Sequence, residues 1–403
     1  MKNISLFGYG GTTKSIAKLI PHAIFYDDKC LKTFRDENGF VVKPSDKFKP
    51  ENSDLEITSP GIPPYNPLIK KAQNLISEYD YFADTKPLKI WISGTNGKTT
   101  TTQMMQYLLG YKGSQAGGNI GTPLAELSQD ASMWILETSS FTMHYTNNAK
   151  PNIYVLLPLS PDHLSWHGDM QEYVLSKLKP VSMMSEGEIA IIPEKYKDVE
   201  TEGTIITYKD ESDLAKQFGI DPEEVKFKGA FLIDALLAMA VEKILFDTID
   251  YEKINSFTLD PHRQEELKDS KERLWVNDTK ATNLDATIAA LKRYSDTPIH
   301  LILGGDDKGV DLSPLFQEIT KYNVTIFAIG TNTQKLIELS KRYNIICKSC
   351  NTLEEAVKKI IQNCGYTIED SINMLSPAAA SLDQFNSYVH RGIEFKRLIN
   401  ENS

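Results

Sequence analysis

Short apolar runs alternate with amphipathic helical stretches along nearly the whole chain. Residues 4–7 form an apolar run punctuated by Gly8–Gly11; Ile16, Ala17, Leu19 and Ile20 then supply one helical face. A second strand over 23–26 ends in Asp27 and Asp28. A strand over 55–58 leads into the rigid turn Ser59-Pro60-Gly61-Ile62-Pro63-Pro64; a helix is expected over 67–78, and 83–88 reads as a polar linker. A second series has strands over 89–92, 134–136, 153–157 and 189–192 and closes with a helix over 232–245. A third repeats the scheme, with strands over 274–276, 299–303 and 325–329 and helices over 283–293, 312–322, 333–343 and 353–363. Alternation of this kind implies an α/β protein whose parallel sheets are covered on their faces. Three domains are expected: a Rossmann-like one over 1–86, a central one over 87–259 and a second Rossmann-like one over 260–403.

Composition narrows the function classes. The 403 residues carry 44 Lys+Arg and 54 Asp+Glu, a net charge of −10, which disfavours general binding to nucleic acid or anionic membrane. The longest apolar stretch, 230–241, is interrupted by Asp234 and falls short of the roughly 20 residues that span a bilayer. No sustained apolar segment precedes the glycine loop, so no signal peptide is expected. Four cysteines in a chain of this length fit a reducing cytoplasm. Cys347 and Cys350 form a C-x-x-C, with Cys364 following and Cys30 distant. No second pair or nearby histidine completes a zinc set, so free buried thiols are expected.

The sharpest local signal is Gly94-Thr95-Asn96-Gly97-Lys98-Thr99-Thr100, placed after a strand and before a helix. Backbone N–H groups at such a turn make an anion site; Lys98 is suited to β/γ-phosphates and the Thr99 hydroxyl to Mg²⁺. This predicts an ATP site. Glu137 and the pair Asp162-His163 follow neighbouring strands, where a parallel sheet presents ligands at its carboxyl edge, and two Mg²⁺ ions are expected there. The first loop, Gly8-Tyr9-Gly10-Gly11-Thr12-Thr13, has a threonine where G-x-G-x-x-G has its third glycine. A dinucleotide, another nucleotide-like diphosphate and a purely structural turn all remain open for it.

With these residues assembled, the chain resembles the Mur ligase family. GTNGKTT, GGNIG (117–121), ETSSF (137–141), the DH pair and PHR (261–263) occur in order at family-like spacings. The segments Asn277-Asp278-Thr279-Lys280-Ala281-Thr282-Asn283 and 375–385 (LSPAAASLDQF) resemble those of members that join D-glutamate to UDP-N-acetylmuramoyl-L-alanine. The resemblance covers essentially the whole chain. It implies an ADP-forming amide ligase of peptidoglycan precursor synthesis, acting through an acyl phosphate, with domain closure over the reacting groups and a monomeric state. A sibling or folylpolyglutamate-type ligase with another acceptor is the alternative within that class; a P-loop regulatory protein is the alternative outside it.

Residue by residue, the resemblance implies Lys98 on the transferring phosphoryl group and Thr99 with Glu137 on the first metal. It gives His163 to the second metal and to the substrate. Lys177, four residues after Tyr173, matches a carbamylated lysine; read from its own neighbours it is a solvated helix lysine. ATP would also meet Arg263, with His262 alongside, and Asp278 at the ribose. Lys280 would orient the acyl phosphate or carboxylates. Thr282, Lys308, Ser381, Leu382 and Tyr388 would line the D-glutamate site. The UDP substrate would meet Gly10, Gly11, Thr12, Asp27, Ser59, Pro60, Gly61 and Asn119. Three departures stand out: Asp28-Lys29 replaces a family Thr-Arg; Ala230-Phe231-Leu232-Ile233-Asp234 replaces H-N-x-x-N, so that adenine recognition either differs or falls to Asp234 and backbone groups; and the stretch between Lys177 and Gly229 is compact.

Overall fold

The computed structural model describes residues 2–363 and 371–402, which build three six-stranded sheets. The first contains β1 (Ile4–Phe7), β2 (Ile24–Asp27), β3 (Phe34–Arg35), β4 (Val41–Pro44), β5 (Leu55–Thr58) and β6 (Leu75–Ile76), in the order β3-β4-β2-β1-β5-β6. The second contains β7 (Leu88–Ser93), β8 (Ser114–Gly118), β9 (Met133–Glu137), β10 (Ile153–Leu156), β11 (Ile189–Pro193) and β12 (Thr204–Tyr208), in the order β12-β11-β10-β7-β9-β8. The third contains β13 (Glu265–Lys268), β14 (Leu274–Asn277), β15 (Ile299–Gly304), β16 (Val324–Ile329), β17 (Ile346–Asn351) and β18 (Ile372–Leu375), in the order β13-β14-β18-β15-β16-β17.

The second sheet is wholly parallel, as expected. The other two each carry one antiparallel edge strand, β3 on β4 and β13 on β14, which the alternation did not reveal. The helix expected over 67–78 is also corrected. It stops at Lys71, because the buried Glu56 carboxylate captures the Gln73 and Asn74 N–H groups at 3.3 and 2.7 Å. The apolar pair Leu75–Ile76 then extends the sheet beside β5, and a separate turn of helix, Glu78–Tyr81, follows.

One apolar core runs from Leu6, Phe25 and Ile57 through Tyr79 and Phe82 to Trp91, Trp134 and Tyr154, so the first two sheets belong to one compact unit. That unit holds the residues up to Phe227 together with Phe231–Phe257; the remainder forms a second unit around the third sheet. The third sheet is covered on both faces, by Leu301, Phe316 and Leu336 on one side and Trp275, Phe327 and Phe395 on the other. Among the described residues no helix is long and apolar enough to cross a membrane. Cys30, Cys347 and Cys350 are free thiols, but only Cys350 is buried, the other two being partly exposed; Cys364 lies outside the described residues.

Candidate active site

The phosphate-binding loop leaves β7 between β9 and β10, with the three strand ends level: Ile92 pairs with Glu137 and Ser93 with Leu156. Gly97 takes φ +84°, and a Cβ there would lie 2.3 Å from Asp234 Oδ1, so only glycine fits. The helix Lys98–Leu109 starts at that point, and its first-turn N–H groups and dipole favour an anion. Lys98 Nζ lies over the loop, donating to the carbonyls of Gly94 (3.0 Å) and Thr95 (2.8 Å). Thr95 is committed within the protein itself. Its N–H bonds Pro158 O, and its hydroxyl bonds Ser160 O at 3.0 Å while receiving the Tyr173 hydroxyl at 2.9 Å. Asp234 is likewise turned inward. It is buried and accepts the Thr101 hydroxyl at 3.0 Å, so it supports the loop from beneath instead of facing a base.

Lys177 overturns the reading from its own neighbours. It is 1% exposed, on the helix Met170–Ser182, and its Nζ donates to Gly94 O at 2.8 Å and Ser93 Oγ at 3.2 Å. Burial, seconded by the Lys98 charge, holds its amine well below the ordinary lysine range, against the opposing pull of Asp162 and Glu137. A neutral amine is the form that adds CO₂. Glu137 is 3% exposed; Oε1 accepts Asn119 Nδ2 at 2.6 Å, whereas Oε2 is buried without a hydrogen-bond partner. An orphaned carboxylate oxygen beside a phosphate loop fits a hard divalent cation. Among the described residues no three His, Cys, Asp or Glu side chains converge as a metal site, so such an ion would need other donors as well.

His163 is half exposed, at φ +53°, with Nε2 3.3 Å from Asp162 Oδ2 and its ring against Phe141. Left-handed backbone at a histidine is strained, and strain of this kind gathers at working sites. His167, not foreseen from sequence, stacks on Phe141 and shares a 2.9 Å hydrogen bond with Ser140 Oγ. Burial pushes its imidazole down to about 4, so it is neutral at pH 7.

In the first sheet, β1 is flanked by β2 and β5, which makes its carboxyl end the topological switch point. Gly10, Gly11 and Thr12 open the helix Gly11–Leu19 there, and a Cβ on either glycine would meet nothing within 4 Å. Ser59 of the Ser59-Pro60-Gly61 turn packs against Gly8. Asp27 joins them, but its carboxylate is already engaged by the N–H groups of Tyr9 (2.7 Å) and Lys29 (2.8 Å). It braces the glycine loop. Asp28 accepts Asn66 Nδ2 at 2.7 Å.

The third sheet sends three motifs from three adjacent strand ends, β14, β18 and β15. Asp278 is buried, accepting Ser376 Oγ at 2.7 Å and Gln264 N–H at 3.2 Å, and burial raises its carboxyl to about 7. His262 is buried beside Asn277 at 2.9 Å, and Arg263 is half-buried next to it. Lys280 Nζ sits 4.2 Å over the Tyr388 ring. Backbone bonds of 3.0 and 2.9 Å between Asp306 and Ala380 tie the Lys308 loop to the segment carrying Ser381. Ser381 is buried, Thr282 and Lys308 are exposed, and Leu382 is 70% exposed. Lys308 also adopts φ +51°.

The chain matches the Mur ligase middle domain over residues 92–235. It is 53% identical over 403 residues to the UDP-N-acetylmuramoylalanine–D-glutamate ligase of Campylobacter jejuni, covering 99% of both chains. The chain belongs to the Mur ligase family. It is also 43% identical over 420 residues to the enzyme of that name from Helicobacter pylori, covering 98% of this chain and 99% of the other. The MurF ligase of Thermotoga maritima, solved with ADP, shares the fold at 14% identity and a TM-score of 0.62, over 100% of this chain and 95% of its own.

Two further residues of this Mur ligase escaped the sequence reading. Arg391 is fully buried; it donates to the Thr279 hydroxyl (2.8 Å), Thr279 O and Ala379 O (3.1 Å each) and Ala380 O (3.4 Å). It thereby clamps the Lys280 segment to the Ser381 segment. Burial lowers its guanidinium to about 10, still a cation at neutral pH. Tyr79, in the first unit, donates its hydroxyl to Glu137 O at 3.1 Å.

Proposed function

We infer that this Mur ligase joins D-glutamate to UDP-N-acetylmuramoyl-L-alanine, forming ADP and phosphate, in peptidoglycan precursor synthesis. The observation that carries the reading is the full-length identity to a ligase of that name, with the phosphate loop and both third-sheet segments in place. ATP transfers its γ-phosphoryl group to the terminal carboxylate of the nucleotide-sugar substrate, giving ADP and an acyl phosphate. The amine of D-glutamate attacks the acyl carbon, loses a proton, and the tetrahedral intermediate expels phosphate. No enzyme nucleophile is required; positioning and charge neutralisation supply the catalysis.

In this reading the Gly94–Thr100 turn cradles the triphosphate, with Arg263 and Asp278 serving the rest of ATP. Lys98 leaves its carbonyl partners for the phosphoryl oxygens. Thr99, Glu137, His163 and a carbamylated Lys177 would hold Mg²⁺, which supplies charge neutralisation at the phosphates when bound. The depressed basicity of Lys177 and the free Glu137 oxygen support this assignment. Gly10, Gly11 and Thr12 take the diphosphate at the switch point, with Ser59, Pro60 and Gly61 towards the uridine and Asn119 towards the muramoyl-alanine end. Lys280 orients the acyl phosphate, and Lys308, Thr282, Ser381, Leu382 and Tyr388 receive D-glutamate. Lysine point charges suffice for its carboxylates.

Phosphate release tests the reading. It should require ATP, UDP-N-acetylmuramoyl-L-alanine and D-glutamate together, and L-glutamate or other acceptors should not replace the last. Lys98→Ala should lower turnover about 10³-fold, the order expected for losing a central charge-stabilising donor, while binding of the UDP substrate persists. Acceptor-independent release, or normal turnover in that variant, would overturn it.

A further inference from the structure

Glu137 is held from three directions before any ligand is considered. Its backbone carbonyl receives the Tyr79 hydroxyl at 3.1 Å and the Asn119 N–H at 2.9 Å, and its Oε1 receives Asn119 Nδ2 at 2.6 Å. A carboxylate only accepts hydrogen bonds, so Asn119 must present its NH₂ to Glu137 and keep its amide oxygen turned away. Asn119 itself is exposed, although the carboxylate it holds is not. The result is an asymmetric carboxylate: one oxygen occupied by the protein, the other buried and unpartnered.

The strand ends explain how this is built. β8 and β9 pair up to Gly118 and Glu137, and at Gly118 the backbone turns to φ +85°. A Cβ on Gly118 would lie 2.5 Å from Glu137 O and 2.6 Å from the Tyr79 hydroxyl, so the glycine leaves room for that hydroxyl. Tyr79 is buried and packs edge-on to Trp91 at 4.9 Å, which fixes its ring. Beside it, Glu78 Oε1 accepts the Leu124 N–H at 2.9 Å, fastening the far side of the segment that carries Asn119.

We propose that Asn119 and Tyr79 are positioning residues for Glu137, engaging Oε1 and the backbone carbonyl so that Oε2 is the oxygen offered to a divalent cation. Partners that orient a metal ligand in this way are worth about 10- to 100-fold in metal affinity. The proposal rests on the reading of Glu137 as a metal ligand. It adds that Asn119 acts through Glu137 as well as towards the UDP substrate.

The test uses the full chain, with Mn²⁺ as the probe, titrated in the presence of ADP and followed by electron paramagnetic resonance. Asn119→Ala should weaken Mn²⁺ binding about tenfold with an unchanged unfolding temperature. Asn119→Asp, which sets a second carboxylate against Oε1, should weaken it further. Tyr79→Phe keeps the ring and removes only the hydroxyl; it should weaken Mn²⁺ binding about tenfold, the lower end for an outer-shell partner, and leave KM for the UDP substrate unchanged. Mn²⁺ affinity within about twofold of the parent in both Asn119→Ala and Tyr79→Phe, a span below that outer-shell range, overturns the proposal. Glu137→Gln separates the two levels: intact Mn²⁺ binding there would overturn the metal assignment itself, and the proposal with it.

Discussion

The phosphate loop of the first unit and the loops of the second, proposed as the acceptor side, are both built at the carboxyl ends of adjacent parallel strands, yet they place their charges differently. Around the phosphate loop three ionisable groups are inside: Lys177, Glu137 and Asp234 are buried and hydrogen-bonded to the loop or its neighbours. On the acceptor side the buried charges, Arg391 and Asp278, hold backbone, while Lys308 stands in solvent. Burial raises the electrostatic leverage of a charge and fixes its geometry, at a desolvation cost. On the proposed reading, the contrast would separate chemistry common to many acceptors, held by internal charges, from selection of one acceptor by outward-facing side chains.

The comparison can be broken at several points. Arg391→Ala leaves the carbonyls of Thr279, Ala379 and Ala380 without their donor, and should cost about 3 kcal/mol of stability. Denaturant melts followed at Trp275 would detect it, and a loss near zero would remove Arg391 as the clamp. Lys177→Ala should lower turnover about 100-fold, with partial recovery on adding a small carboxylate such as formate; undiminished activity would eliminate the carbamate.

The two units should also answer pH in opposite senses. Asp278, raised to about 7, binds its proton more tightly folded than unfolded, so its contribution to stability declines as pH climbs from about 4 towards 7. Asp278→Asn should flatten that slope by up to about 1.4 kcal/mol per pH unit, read by hydrogen exchange in β14 and β18. Lys177, depressed, releases its proton more readily folded, so stability there grows as pH rises towards the ordinary lysine range. Equal slopes in both regions would contradict the burial argument. Smallest of all, Lys308→Ala should raise KM for D-glutamate about tenfold, the worth of one charge-assisted contact, with kcat and KM for ATP little changed.

Much of this was legible beforehand, and the failures have physical causes. β9 and β10, reading Met-Trp-Ile-Leu-Glu and Ile-Tyr-Val-Leu beside the phosphate loop, are near-continuous apolar runs, which burial on both faces demands. β8, reading Ser-Gln-Ala-Gly-Gly, and β17, reading Ile-Cys-Lys-Ser-Cys-Asn, are sheet-edge strands with polar sequences and carried no such mark. The break after Lys71 depended on Glu56, a partner distant in sequence. Motif residues were identifiable by type, but their commitments were not: Thr95 and Asp27 look free in the sequence and are spent on backbone in the structure. Lys177 is the reverse, ordinary among its neighbours and buried only because its helix packs under the phosphate loop.

The paired backbone bonds between Asp306 and Ala380 carry an evolutionary consequence. Two loops stitched together cannot drift separately, since lengthening or re-aiming one drags the other out of register. A lineage retuning this enzyme for a different amino acid would have to alter both stretches in concert, and single changes confined to either would mostly be dead ends.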